Sequence, residues 1–340
     1  MFHFDTDYME GAHPLVMQRL METNLDQTPG YGTDNYCEQA RQMIRQACGN
    51  QSFDVYFLVG GTQTNSTIID ALLSHHEGVV AAQTGHINVH ESGAIETFGH
   101  KVLTLPSHDG KVDAQELEQF IADFYADETY EHMVAPGMLY ISFPTEYGTI
   151  YTKAELKRLY DICQNAHIPL FIDGARLGYG LTSDAADVTL PELASLCDVF
   201  YIGGTKVGAL FGECVVARQG LLQHFTPLVK QHGALLAKGR LLGVQFGALF
   251  TDNLYFHIAR HAVELAMLLK QGFIAKGYQP FIDSPTNQQF FTLPNEVMDR
   301  LAQHHTFEMW GRRGDTHTTV RFVTSWATKR EDVEALITEL

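Results

Sequence analysis

A chain of 340 residues, 45% apolar and 19% charged, is long enough to bury a large core and suits about two domains, which excludes disorder, collagen and coiled coil. With 23 basic against 40 acidic side chains, net −17, it would repel a nucleic acid backbone or an anionic membrane rather than bind it. Five cysteines (Cys37, Cys48, Cys163, Cys197, Cys214), odd in number and without a CxxC pair, predict free thiols in a reducing compartment. The opening MFHFDTDYMEG has no basic stretch followed by an apolar one, and no window approaches the roughly eighteen apolar residues of a membrane span, so a soluble, cytoplasmic protein is expected.

In chain order, the segment after Asp34 places Tyr36, Ala40, Met43, Ile44 and Ala47 on one helical face and stops at Gly49. From about Phe53 to Ala217, short β-branched or aromatic runs alternate with amphipathic stretches: DVYFLV, GVVAA, KVLTL, MLYISF, PLFID, DVFYIG and ECVVA. Between them, TKAELKRLYDICQNAH sets Leu156, Leu159, Tyr160 and Cys163 at helical spacing. DVFYIG and PLFI are continuously apolar, as strands buried on both faces are. The expected fold class is α/β, with a mostly parallel seven-stranded sheet wrapped by helices. After Phe250 the pattern becomes a long helix near 252–276, QQFFTL, a helix near 295–304, TVRFVTSW and a terminal helix from Lys329. This predicts a smaller α+β domain over 251–340 beside a large domain over 1–250, with Trp310 and Trp326 packed in the smaller one.

Three segments carry chemistry. GGTQTN (60–65) lies between a strand and a helix, where glycine backbone and free helix-start N–H groups can seat a phosphate; a plain turn has the same sequence. No GxGxxG follows a strand and no GxxxxGK[ST] occurs, which argues against dinucleotides and nucleoside triphosphates. In PLFIDGARLG, Asp173 closes a buried strand on the ligand face of a parallel sheet, although a helix N-cap would read alike. In DVFYIGGTKVGALFGE, Lys206 is the one lysine of ten just beyond a fully apolar strand, hemmed by Gly203, Gly204 and Gly208. Desolvation there favours the neutral amine, which can condense with an aldehyde. Anion seat, strand-end carboxylate and buried lysine are the three groups that pyridoxal 5′-phosphate requires.

Over nearly its whole length the sequence resembles the threonine aldolase and β-eliminating lyase family, which uses pyridoxal phosphate on an aspartate aminotransferase fold: YGTD, GGTQTN, TGHINVHESGA, FIDGARLG, GGTKVG and VRFVTSW occur in the family's order. The resemblance implies that the Gly61 and Thr62 amides and the Thr205 hydroxyl bind phosphate, that Asp173 pairs with the ring nitrogen and that Arg176 lies near the phenolic oxygen. It implies that Lys206 holds the cofactor, His86 stacks on the ring, and Arg321 grips the substrate carboxylate with Thr6 beside it. It also implies a homodimer or homotetramer with active sites at the interface, in which Tyr31 and the cofactor-contacting Arg240 cross from the neighbouring subunit.

Glu146 departs from the pattern: in FPTEYGT it stands where many members carry the histidine that handles the substrate hydroxyl. It is read here as a carboxylate base raised by burial or as a turn-capping residue. The expected reaction cleaves the Cα–Cβ bond of a β-hydroxy-α-amino acid such as threonine or allo-threonine to glycine and an aldehyde, with Lys206, His86 and Glu146 as its catalytic residues. β-Elimination or transamination of another amino acid, and non-catalytic cofactor binding, are the alternatives. His86, His90 and Glu91 form HINVHE rather than HExxH, so no metal is expected; His304 and His305, like His75 and His76, are read as solvated surface.

Overall fold

The computed structural model describes residues 1–340. After a two-residue strand β1 (Phe2–His3), the seven apolar runs form β2 (Asp54–Leu58), β3 (Glu77–Ala82), β4 (Lys101–Leu105), β5 (Ala135–Ser142), β6 (Leu170–Asp173), β7 (Val199–Gly203) and β8 (Glu213–Ala217). They make one sheet in the order β2-β8-β7-β6-β5-β3-β4, in which β8 alone runs antiparallel to its neighbours. The reason is local. The 204–212 loop returns directly from β7 to β8 with no helix between them, whereas parallel neighbours need a crossover.

Because the side-chain period of a strand is two, each buried strand feeds two cores. Ile141, Leu170, Ile172, Phe200 and Ile202 join one cluster with Ala40 and Ile44 of the helix Asn35–Ala47. Tyr140, Phe171 and Tyr201 join the opposite one, with Ile68 and Ile69 of the helix Gly61–Leu72. The predicted helix after Asp34 is capped by that aspartate, whose side chain accepts from the Cys37 N–H. All five cysteines are free and buried. No helix is long and apolar enough to cross a membrane.

Beyond residue 250 the chain adds β9 (Pro280–Ile282), β10 (Gln288–Pro294), β11 (His305–Thr306), β12 (Glu308–Met309) and β13 (His317–Val323). An antiparallel sheet of order β12-β13-β10-β9 packs on its own core of Phe273, Phe291, Phe322 and Leu336. The helix Leu254–Ala275 joins the two units, giving Tyr255 to Val263 to the large core and Leu265, Leu269 and Phe273 to the small one.

Three placements differ from the sequence expectation. Strand β1 pairs in parallel with β11 and Phe4 sits in the small core, so the first residues of the expected large domain pack with the smaller one. That pairing buries His305, whose ring lies 5.4 Å from Phe2, and it is not solvated surface. Trp326 packs against the large core, 5.6 Å from the His13 ring, because the chain leaves β13 toward the N-terminal segment.

Candidate active site

The carboxyl ends of the parallel strands share one edge of the sheet, and the start of antiparallel β8 lies on that same edge. This gathers the residues after β2 (Gly60), β3 (His86), β5 (Glu146), β6 (Asp173) and β7 (Lys206), together with Glu213, around a cavity of about 350 Å³. Gly61, Thr62, Arg176 and Thr205 line it as well.

The expected anion seat falls at the start of the helix Gly61–Leu72. Its N-cap, Gly60, offers no side-chain acceptor, so the first-turn amides stay free for a ligand. A Cβ on Gly61 would come within 3.3 Å of the Tyr201 hydroxyl oxygen, so bulk there would crowd the seat. Across from it, the Thr205 hydroxyl accepts the Gly212 N–H at 3.0 Å and hydrogen-bonds the Glu213 carboxylate.

Asp173 does not cap a helix; Arg176 holds the N-cap position of the next one, Leu177–Leu181. Its carboxylate faces the Tyr140 and Tyr201 side of the sheet, the side on which the Gly61–Leu72 helix lies. There Oδ2 accepts from Tyr140 Oη at 2.6 Å and Asn65 Nδ2 at 2.9 Å, and Oδ1 accepts from Tyr201 Oη and, at 2.9 Å, from the Ala175 N–H. Burial alone would raise its pKa, but His86 and these hydrogen bonds outweigh burial and hold it below the ordinary value. A buried carboxylate that stays ionised at neutral pH is what a protonated ring nitrogen needs beside it.

Lys206 is pushed the other way. Burial first and the Arg176 charge second lower its amine to about 8, while Asp7, Asp173 and Glu213 act in the opposite sense. The loop that carries it is held close to β6: a Cβ on Gly203 would lie 2.1 Å from the Ala175 carbonyl oxygen. Arg176 is gripped by Asp7, with Nε to Oδ2 at 2.7 Å and Nη2 to Oδ1 at 3.0 Å.

The His86 Nδ1 lies 2.7 Å from Glu91 Oε1, and the same oxygen accepts from Asn65 Nδ2 at 2.7 Å. Glu146 Oε1 accepts the His86 backbone N–H at 2.9 Å and the Ser142 hydroxyl at 2.6 Å. Burial, helped by the nearby Asp173 charge, raises the Glu146 pKa although Ser142 and His86 pull it down. The residue braces the backbone at His86, and its pKa is shifted in the direction a proton acceptor needs. No group of three or more His, Cys, Asp or Glu side chains is arranged to hold a metal ion.

Arg321 and Thr6 line an adjoining cavity of about 440 Å³, which shares Tyr8 with the first. Tyr31 and Arg240 are not brought to either cavity within this chain. Tyr31 is exposed and lies over Lys230, and Arg240 donates to the Thr23 carbonyl at 2.6 Å and the Asn24 carbonyl at 2.9 Å. Sequence reasoning assigned no role to Asp7, Asn65, Tyr140, Tyr201 or Glu213 in the site. Glu213 carried a signal, a charge heading the apolar run ECVVA; burial lifts it to about 8. Glu91 was visible only as a possible metal ligand.

The fold and a lysine-centred, anion-seating cavity at its strand ends define an enzyme of aspartate aminotransferase-like architecture. The fold alone is shared with a double mutant of Thermus thermophilus aspartate aminotransferase, at TM-score 0.73 and 13% identity over 100% of this chain and 90% of that one. The chain belongs to the beta-eliminating lyase family, whose profile matches residues 3–306. It is 27% identical to the low specificity L-threonine aldolase of Pseudomonas aeruginosa over 99% of this chain and 96% of that protein. It is similar to the structure of Leishmania major threonine aldolase at TM-score 0.96 and 39% identity, covering 99% of this chain and 98% of that one.

Proposed function

We propose that this protein is a pyridoxal phosphate-dependent lyase that cleaves threonine or a similar β-hydroxy-α-amino acid to glycine and an aldehyde. The observation that carries the reading is Lys206, an amine lowered to about 8, in one cavity with the ionised Asp173 and the free amides of Gly61 and Thr62. Those amides and the Thr205 hydroxyl suit a phosphate, Asp173 suits a protonated ring nitrogen, and His86 and Arg176 suit a ring face and its phenolic oxygen. When bound, pyridoxal phosphate supplies the electron sink for the pair left on Cα as the Cα–Cβ bond breaks. Arg321, with Thr6, fixes the amino acid through its carboxylate. Glu146 or His86 takes the β-hydroxyl proton, so that the oxygen's electrons form the aldehyde carbonyl; a proton then returns to Cα to give glycine.

The sites are read as shared between two subunits of a cytoplasmic homodimer or homotetramer, with Tyr31 and Arg240 serving the neighbour. Exposed Leu15, Met17, Met21 and Leu25 on and after the helix Pro14–Glu22 support that surface. The test incubates purified protein with threonine and allo-threonine and measures aldehyde and glycine together. Equal amounts of both support the reaction. Keto acid without glycine assigns elimination or transamination, and no product with a borohydride-trapped adduct on Lys206 assigns binding alone.

A further inference from the structure

We infer that Glu308 is a resident competitor of the substrate carboxylate at Arg321 and so sets how tightly amino acids bind, an inference that rests on the carboxylate-binding role of Arg321. The two arginines near the cavities offer the same fork in different states. In Arg176, Nε and Nη2 engage the two oxygens of Asp7 at 2.7 and 3.0 Å. In Arg321, Nη2 is held by Glu308 Oε2 while Nε is buried with no partner, and Nη1 donates to Gln288 Oε1 at 2.8 Å. A carboxylate binds a guanidinium most strongly through two parallel N–H bonds, and the Nε–Nη2 edge is closed while Glu308 holds one half of it.

Glu308 is free to leave and Asp7 is not. The Glu308 side chain is 46% exposed on the two-residue strand β12, whereas that of Asp7 is 0% exposed. The Arg321 guanidinium stays in place over Trp310, 5.2 Å from the ring centroid. Burial and then the charge of Arg176 work against the ionised form of Arg321, and Glu308 is the anion that lies beside it. Binding is then an exchange of one carboxylate for another with no change in charge. A ligand with a single acceptor oxygen gains little over Glu308, whereas a two-oxygen carboxylate in register with the fork wins.

Glu308 also stands directly opposite Arg321 across β12 and β13, the geometry of an ordinary cross-strand ion pair that orients the arginine. The two roles differ in sign: removing a competitor tightens substrate binding, and removing an orienting partner weakens it. The experiment uses Glu308→Gln holoenzyme. Glycine and threonine dissociation constants are read from the absorbance change of the bound cofactor, and KM and kcat from aldehyde release. Both dissociation constants are expected to fall by about two- to fivefold, the upper part of the range of an exposed ion pair, with KM falling more than kcat changes. Glu308→Ala is expected to change them in the same direction. Constants that stay level or rise overturn the proposal. Tighter glycine binding without any aldehyde from β-hydroxy amino acids keeps the competitor and rejects the aldol reading, so the two fail separately.

Discussion

Replacing Asp7 with asparagine removes one charge from a buried ion pair and leaves nearly every atom in place. Asp7 joins three parts of the chain: the N-terminal segment, Arg176 after β6, and Asn287 before β10, whose Nδ2 donates to Asp7 Oδ2 at 2.9 Å. At the observed 2.7 Å and an effective dielectric of about 20, the attraction of the pair is about 6 kcal/mol before desolvation is counted. Burial opposes the Asp7 charge, yet Arg176, Lys206 and the hydrogen bonds still hold its pKa below the ordinary value. The variant leaves Arg176 buried without its counter-charge, a defect that costs roughly 3–5 kcal/mol. Asparagine can still accept from one Arg176 N–H but turns an amide donor toward the other, so the lower end of that range is expected. Urea unfolding of wild type and Asp7→Asn, followed in parallel by fluorescence and circular dichroism, measures the difference. A loss under about 1 kcal/mol would show that the pair contributes little more than a surface salt bridge, and the argument from burial would fall.

Two further outcomes follow from the titrating groups. Lys206 has a folded pKa of about 8 against an ordinary 10.5, so the penalty for its buried ammonium is full below about pH 8 and fades as pH rises toward 10.5. Cofactor-free protein therefore gains stability across that window, and its capture of pyridoxal phosphate, trapped with borohydride, is expected to rise to about pH 8–9 and then level off. Capture that climbs steadily to about pH 10.5 would return the amine to its ordinary value. Glu146→Gln keeps an oxygen for the Ser142 hydroxyl and the His86 N–H, so it removes proton transfer while preserving the brace. Cleavage is expected to slow by roughly 100-fold or more with the trapped cofactor retained, and turnover within about twofold of wild type would leave Glu146 as a brace only.

What the chain itself determined is local. Seven short apolar runs, the Gly60–Gly61 turn before a helix, the carboxylate at the end of PLFID and the lysine beyond DVFYIG each act on neighbours a few residues away, so each left a mark in the amino-acid order. The tertiary structure decided the partners. Asp173 meets Asn65 across 108 residues and Arg176 meets Asp7 across 169, separations at which no periodicity links two polar side chains. The pairing of β1 with β11 brings the first residues of the chain to His305 and buries it, which the residues near His305 do not set. Polar pairing is decided by which segments the hydrophobic cores bring together. Spacing therefore pointed to Asp173 and Lys206 as candidate groups, the resemblance pointed to the rest, and the packed fold chose the residues that hold those two in their charge states.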